Sequence, residues 1–366
     1  MKTFRYIRVL FVTMNMLCSL LFIVASFSDS VSPAKSMIFP YLGLFFPFFF
    51  IINCCFLIYW LIVRKWMLFF VVLCSFFVCW KPITHYIPFH PFPEDVTKKN
   101  TLKILTYNVM AFGYQDHTPE KPNPILQYII NSDADIVCMQ EYFVGIQANY
   151  LTQKKIEQAL NMYPYHYTIP LVRKNRYIIG LAIYSKYPIL NSRKIRYDST
   201  FNGSTIHEID VQGKKLFVVN NHLESFKLTM EDRSKYTDFI KNMNADTFDE
   251  LKETVQQKLD NAFLIRAEQA EIVAEEIQKL NEDDYLIVCG DLNDTPISYA
   301  YRVVNNSMTD AFSSSGNGLG ITYNQHNFRF RIDHIFHSSN MKAYNATVDK
   351  VSASDHYPMW CYLEMN

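Results

Sequence analysis

The chain has no excess of basic over acidic side chains: 35 Lys and Arg stand against 35 Asp and Glu. A protein that grips a long run of nucleic-acid backbone needs a cation for each phosphate contact, so this balance disfavours a processive nuclease. Residues 1–96 hold seven of the cations (Lys2, Arg5, Arg8, Lys35, Arg64, Lys65, Lys81) and three of the acids (Asp29, Glu94, Asp95). That leaves 28 and 32 to residues 97–366, a formal charge of −4. Cysteine is scarce where a secreted scaffold would need it. Of eight cysteines only Cys138, Cys289 and Cys361 fall in the second part, each in an apolar, strand-like run. Core packing accounts for them better than a disulfide framework or a zinc site. There is no internal repeat and no low-complexity tract. The glycine cluster Gly316, Gly318 and Gly320 lacks the strand–turn–helix context of a dinucleotide-binding loop.

Long apolar runs, by contrast, crowd the first eighty positions. Val9–Phe27 and Met37–Val63 carry no charge, the latter with Pro40 near its start and Pro47 inside; Trp66–Trp80 is shorter and extends toward Ile83. A membrane-crossing helix needs about 20 apolar residues. The pattern predicts three transmembrane helices at about 9–27, 37–63 and 66–83, a linker over 84–100, and a second domain over 101–366. The short third run can alternatively be re-entrant. Lys2, Arg5 and Arg8 would suit a signal peptide, but no small-x-small cleavage site follows and further apolar runs do, which favours an uncleaved anchor. Cations flank the first run at its start and lie at Arg64–Lys65, while the intervening loop has only Lys35. The positive-inside rule then puts the N-terminus in the cytoplasm and everything after about Lys81 outside the cytoplasmic membrane. Trp60, Trp66 and Trp80 fit an interfacial belt, Asn53 a helix–helix hydrogen bond, and the linker with Pro88, Pro91 and Pro93 lies along the interface.

From Thr101 the text changes to short β-branched runs separated by helical stretches. LKILTYNV (102–109), DIVCMQE (135–141), Ile178–Tyr184, Ser204–Val211, Lys215–Asn221, YLIVCGDLND (285–294) and RIDHIF (331–336) read as strands, with Gly213 at a hairpin turn. Pro124–Asn131 is an amphipathic helix. Ala262–Leu280 is a second one, with Ala267, Ala270, Val273, Ala274 and Ile277 at helical spacing. Most of the strands run into Asn, Glu, His or Asp at their C-terminal ends. Gathered along one edge of a sheet pair, those ends make a pocket dense in acids, amides and imidazoles, and burying so many acids calls for a divalent cation.

In its motifs the second part resembles the endonuclease/exonuclease/phosphatase superfamily, whose fold is the DNase I-like four-layer α/β sandwich. TYNV carries Asn108, MQE Glu141, NHLES His222, GDLND Asp291 and Asn293, RIDHIF Asp333, and SDHYP Asp355 and His356, in the family's order across 101–366. Each motif alone is weak; six in order are strong. The resemblance implies Glu141, Asn108 and Asp355 as ligands of Mg²⁺ or Mn²⁺. It implies His356 oriented by Asp333, Asn293 fixing Asp291 or the attacking water, and His222 donating to a phosphate oxygen. Either His356 or Asp291 prepares the water. His207, His326, His334 and His337 match no motif position and read as structural or surface residues. Between NHLES and the Ala262 helix lies a charged, helix-prone insertion, either a solvated decoration or a lid beside the site. The expected function is a metal-dependent phosphoesterase at the extracytoplasmic membrane surface, acting on a phosphorylated and lipid-linked substrate with membrane lipids as partners. An extracytoplasmic nuclease and a catalytically idle, membrane-bound binding module are the alternatives.

Overall fold

The apolar runs fold as helices: Lys2–Ala25, Ile38–Ile62, and a pair, Trp66–Val78 and Trp80–Tyr86. These come from a computed structural model that describes residues 2–97, 100–147, 151–227, 245–281, 283–325 and 328–365. Tyr6–Ala25 and Ile38–Ile62 are long and apolar enough to cross a membrane, each with mean hydropathy 2.2. The third run is bent by 65° between its two helices, and counts as a further crossing only if the pair is one span. Pro82 explains the break: a proline in the first turn of the second helix has no N–H to give the carbonyl four residues back, that of Val78, and its ring crowds it.

Two compact units result, one of Met1–Tyr86 with Thr295–Arg302 and the other of Ile87–Asp294 with Val303–Asn366. In the first, Leu10, Leu17, Leu20, Phe48, Ile51 and Ile58 stay exposed while a polar chain is buried between the helices. Ser19 Oγ donates to Asn53 Oδ1 at 2.7 Å and Trp60 Nε1 to Asn15 Oδ1 at 3.0 Å, so apolar helices are pinned by a few satisfied hydrogen bonds. Ile297 of the second segment is buried with Phe22, Phe46, Cys79 and Tyr86, and its carbonyl accepts from Ser28 Oγ at 2.8 Å.

The second unit has fourteen described strands: β1 (Thr101–Asn108), β2 (Ile136–Gly145), β3 (Tyr165–Arg173), β4 (Tyr177–Ser185), β5 (Ile189–Ile195), β6 (Gly203–Val211), β7 (Lys214–His222), β8 (Tyr285–Asp291), β9 (Thr309–Asp310), β10 (Tyr323–Gln325), β11 (Phe328–Phe330), β12 (Asp333–His337), β13 (Met341–Val348) and β14 (Met359–Met365). One six-stranded sheet runs β13-β14-β1-β2-β4-β3, another β5-β6-β7-β8-β12-β9, and β10-β11 form a small hairpin. The inner faces share a core in which Ile104, Ile136 and Ile183 of one sheet meet Ile209, Val218, Ile287 and Ile335 of the other. The outer face of the first sheet is covered by Pro124–Ser132, capped by Asn123, whose side chain accepts from Ile125 N and Leu126 N. The second sheet carries the helix Ala245–Gln278, which buries Ala262, Ala267, Ala270, Val273 and Ile277 along one face. This is the four-layer α/β sandwich that the motifs imply.

The helix read as starting at Ala262 starts instead at Ala245 and absorbs the second half of the insertion; residues 228–244, like His326, lie outside the described residues. β1 and β2 are parallel neighbours, as are β7 and β8, each pair joined through a helix. Their C-terminal ends therefore emerge on the same edge of each sheet. Register does the rest: His222 pairs with Asp291 across β7–β8, and Asp291 with Asp333 across β8–β12, so three motif residues stand side by side on adjacent strands.

Candidate active site

Asn108 closes β1, and its neighbour on β2 is Gln140. The next residue, Glu141, has φ of +51° within an irregularity of β2 between Met139 and Tyr142. A bulge re-aims side chains, and a non-glycine residue in the left-handed region is strained. Here the strain coincides with a carboxylate turned toward the second sheet. Asn108 Nδ2 lies 3.1 Å from both Glu141 Oε1 and Asp291 Oδ2, bridging the two acids, and Asn108 Oδ1 accepts from Met110 N. Asn293, also at positive φ, donates its backbone N–H to Asp291 Oδ1 at 2.8 Å and its amide to Leu223 O at 2.9 Å. It fixes Asp291 through the main chain and spends its side chain on the loop after β7.

His356 Nδ1 lies 2.8 Å from Asp333 Oδ2, and its Nε2 lies 3.6 Å from Asp291 Oδ2. His222 Nε2 is 3.8 Å from Glu141 Oε1 and 3.8 Å from Asp291 Oδ2. The His356 loop is tied to the end of β1, since Ser354 Oγ donates to Asn108 O at 2.7 Å and accepts from His356 N. Asp355, half-buried, sits in that loop. Its carboxylate, with those of Asp291 and Asp333, helps hold the His356 proton. Strand positions spread over 250 residues thus meet in one place.

The electrostatics follow from burial. Burial pushes the Glu141 carboxyl up, and it pushes the Asp291 carboxyl up to about 6, with the charge of Asp333 adding to the effect and those of His356 and His222 opposing it. Burial likewise lowers His222, leaving it neutral. Burial alone would lower His356 as well, but the charges of Asp333 and Asp291 outweigh it and lift that imidazole to about 10. Asp291, Asp333 and His356 offer ligand atoms within 4.8 Å of one another. Asp333 Oδ1 and His222 Nδ1 are buried with no hydrogen-bond partner. Hard oxygen donors, an orphaned buried carboxylate oxygen and acids with raised pKa values fit a divalent cation.

Several supporting residues escaped the motif reading. Gln140 Nε2 donates to Thr106 Oγ1 at 3.1 Å and to Asn220 Oδ1 at 2.6 Å. Asn220 donates in turn to Met139 O and Ala182 O at 3.2 Å each. This buried amide pair laces the sheets together beneath the acids; its only signal in sequence is a polar residue preceding a motif residue in QE and NNH. Thr322 Oγ1 accepts from Ile332 N and Asp333 N at 3.0 and 3.1 Å, with nothing in sequence to announce it. Of the histidines set aside, His207 is held by Ser192 and Thr205 at 2.8 Å each, His334 Nε2 lies 3.0 Å from Asp294 O, and His337 Nδ1 lies 2.9 Å from Ser338 O; all three are buried.

Comparison with known proteins bears on the family and the fold. Residues 105–356 match the Endonuclease/Exonuclease/phosphatase family, and residues 8–86 match a domain of unknown function. No curated protein matches the chain in sequence. Among solved structures, the human Nocturnin catalytic domain with bound sulfate is 16% identical, with TM-score 0.51, covering 73% of this chain and 96% of that one. An endonuclease/exonuclease/phosphatase family protein from Bacteroides thetaiotaomicron is 16% identical, with TM-score 0.50, covering 73% and 99%. One from Beutenbergia cavernae is 16% identical, with TM-score 0.50, covering 73% and 72%. Identities this low speak to the fold alone. With the family match spanning more than half its length and every motif residue gathered at one end of a DNase I-like sandwich, the chain belongs to the endonuclease/exonuclease/phosphatase family.

Proposed function

We propose that the protein is a divalent-cation-dependent phosphoesterase that works at the extracytoplasmic surface of the cytoplasmic membrane on a lipid-linked phosphate ester or anhydride. The observation that carries this reading is the convergence of Glu141, Asp291 and Asp333 with His222 and His356 within hydrogen-bond to ion-pair distance. Glu141 with Asn108 and Asp355 would hold Mg²⁺ or Mn²⁺. The cation would supply charge neutralisation for a phosphoryl oxygen and the leaving group.

The chain's own groups divide the remaining work. His356, held by Asp333 and carrying a proton, donates from Nε2 to a phosphoryl oxygen. Asp291 lies beside it and is the carboxylate placed to take a proton from water. His222 offers a neutral N–H on the same side. The apolar helices support anchoring, and the cations flanking the first span and at Arg64–Lys65 support a cytoplasmic N-terminus; the extracytoplasmic side follows from taking the bent pair as a third crossing.

The test is phosphate release from lipid-linked phosphates by the detergent-solubilised full chain with Mg²⁺, beside Glu141→Ala. A reporter fused after Asn366 reads the side of the membrane. Cleavage of plasmid DNA with no release from any lipid phosphate would replace this reading with a nuclease.

A further inference from the structure

The segment that follows the Trp80–Tyr86 helix is a strap fastened to the catalytic unit. Phe89 pairs antiparallel with Asn317, Gly318 N donates to Pro88 O at 2.9 Å, and His90 Nδ1 lies 3.0 Å from Gly316 O. Further along, Glu94 and Asn345 exchange two hydrogen bonds of 2.8 Å. Pro88, Pro91 and Pro93 fix φ along the strap. Yet its large apolar side chains are left in the open: Phe89 is 80% exposed and Phe92 85%. Leu319, next to Gly318 in the paired loop, is 51% exposed. Two phenylalanines and a leucine held outward by a rigid backbone are unfavourable in water and mark a contact surface.

Covalent reach names what covers it. Phe89 is three residues and Phe92 six residues beyond Tyr86, the end of the apolar helices, so they lie within about 10 and 20 Å of it along the chain. The polar zone on each side of a bilayer, where aromatic side chains partition, is about 5–8 Å deep, so the tether lets both residues reach it. We propose that Phe89, Phe92 and Leu319 form a membrane-docking patch that seats the catalytic unit on the phospholipid surface. The inference rests on reading the N-terminal helices as membrane spans. The patch also leads into the site: Leu319 is three residues from Thr322, whose hydroxyl holds Asp333 N and whose carbonyl accepts from Tyr357 N at 2.6 Å, next to His356.

The test uses the full chain reconstituted in phosphatidylcholine–phosphatidylglycerol vesicles, with Leu319→Trp or Phe92→Trp. Both positions are exposed enough to accept indole without repacking. After subtraction of the native tryptophan signal, docking predicts that brominated acyl chains quench at least half of the added emission; equal emission with and without bromine overturns it. This readout needs no turnover, so a protein that hydrolyses nothing would refute the phosphoesterase reading and leave the quenching to decide the patch. In an active protein, Phe89→Ser with Phe92→Ser and Leu319→Ser should lower turnover of a bilayer-embedded phosphate about tenfold, because the tethered unit is no longer seated on the surface and holds its site near the embedded substrate for less of the time, and leave a water-soluble phosphate ester untouched. Equal losses on both substrates would count against docking.

Discussion

Arg266 is wholly buried and places its guanidinium 2.8 Å from the carboxylate of Asp294. Its Nε donates to Glu224 O at 2.8 Å, and three residues later on the same helix Gln269 Oε1 accepts from Glu224 N at 2.8 Å. Phe226 and Phe263 lie against the guanidinium, with ring centroids 4.6 and 5.7 Å away. One helix thus clamps the loop after His222 and the loop after Asp291 in fixed relation. Replacing Arg266 with Met keeps the contact with the rings but removes the buried cation from the largely covered Asp294 carboxylate, a change that costs about 3 kcal/mol. Guanidinium-chloride unfolding of the solubilised full chain should show that loss, and Arg266→Lys should recover part of it. An unchanged midpoint in the Met variant would mean the clamp does not stabilise the fold.

The raised pKa of Asp291 gives a pH signature of the cation-free protein. Its carboxyl titrates near 3.8 when unfolded and at about 6 when folded. The folded state therefore holds the proton more tightly, and the stability linked to that proton is fully present below about pH 4 and lost as pH rises through 6. Asp291→Asn removes the ionisation. In EDTA, wild type and variant should be alike near pH 4 and diverge by about 3 kcal/mol in favour of the variant by pH 7, since each tenfold gain in proton affinity is worth about 1.4 kcal/mol. Added Mg²⁺ should narrow the gap, because a bound cation offsets the Asp291 charge that only wild type carries. The measurement is the difference in unfolding free energy across pH, with and without the ion.

Much of this site was legible because motif residues end strands, and strand ends in a parallel pair share an edge. NHLES and GDLND predict His222 and Asp291 at strand termini, and the register sets them directly opposite one another. Two features stayed hidden for physical reasons. Glu141 reads as the last residue of a strand, whereas the strand runs on to Gly145 through a left-handed kink that only tertiary packing fixes. Arg266 reads as one charge among many on an amphipathic helix. Its burial depends on Asp294, Glu224 and Phe226, all distant in sequence, together with Phe263 one turn earlier on the same helix. The 65° bend of the third apolar run is intermediate: its shortness was plain, while its cause is the position of Pro82 relative to Val78.

Gly290 in the GDLND motif is a backbone requirement rather than a ligand. Its φ is +122°, and a Cβ there would stand 2.1 Å from Asn221 O and 2.7 Å from Asn221 N on β7. Neither atom can move without breaking the β7–β8 ladder that aligns His222 with Asp291. Gly290→Ala should therefore destabilise the domain by about 3 kcal/mol or more, through strain added to steric conflict. Expression as a folded, monodisperse solubilised protein with a wild-type melting temperature would contradict this. Gly213→Ala, at positive φ but with nothing within 4 Å of the added carbon, should cost only about 1 kcal/mol and serves as the control.

Asp333 separates orientation from folding most cleanly. Its Oδ2 accepts from His356 Nδ1 at 2.8 Å, while its backbone N–H is held independently by Thr322 Oγ1. Asp333→Asn keeps the shape and the main-chain bond but removes the charge that holds the His356 proton and dictates which ring nitrogen faces the cleft. If His356 acts as the cationic donor, turnover should fall by about 10²–10⁴. The KM should change little, because the substrate's other contacts remain. The melting temperature should stay within a few degrees of wild type, since the pair is one of several ties on the His356 loop. Steady-state kinetics on the substrate that the phosphate-release panel identifies, run beside a thermal melt, decides the matter. A variant that lost activity and stability in proportion would make Asp333 a structural brace, and one that kept its kcat would remove His356 from the chemistry.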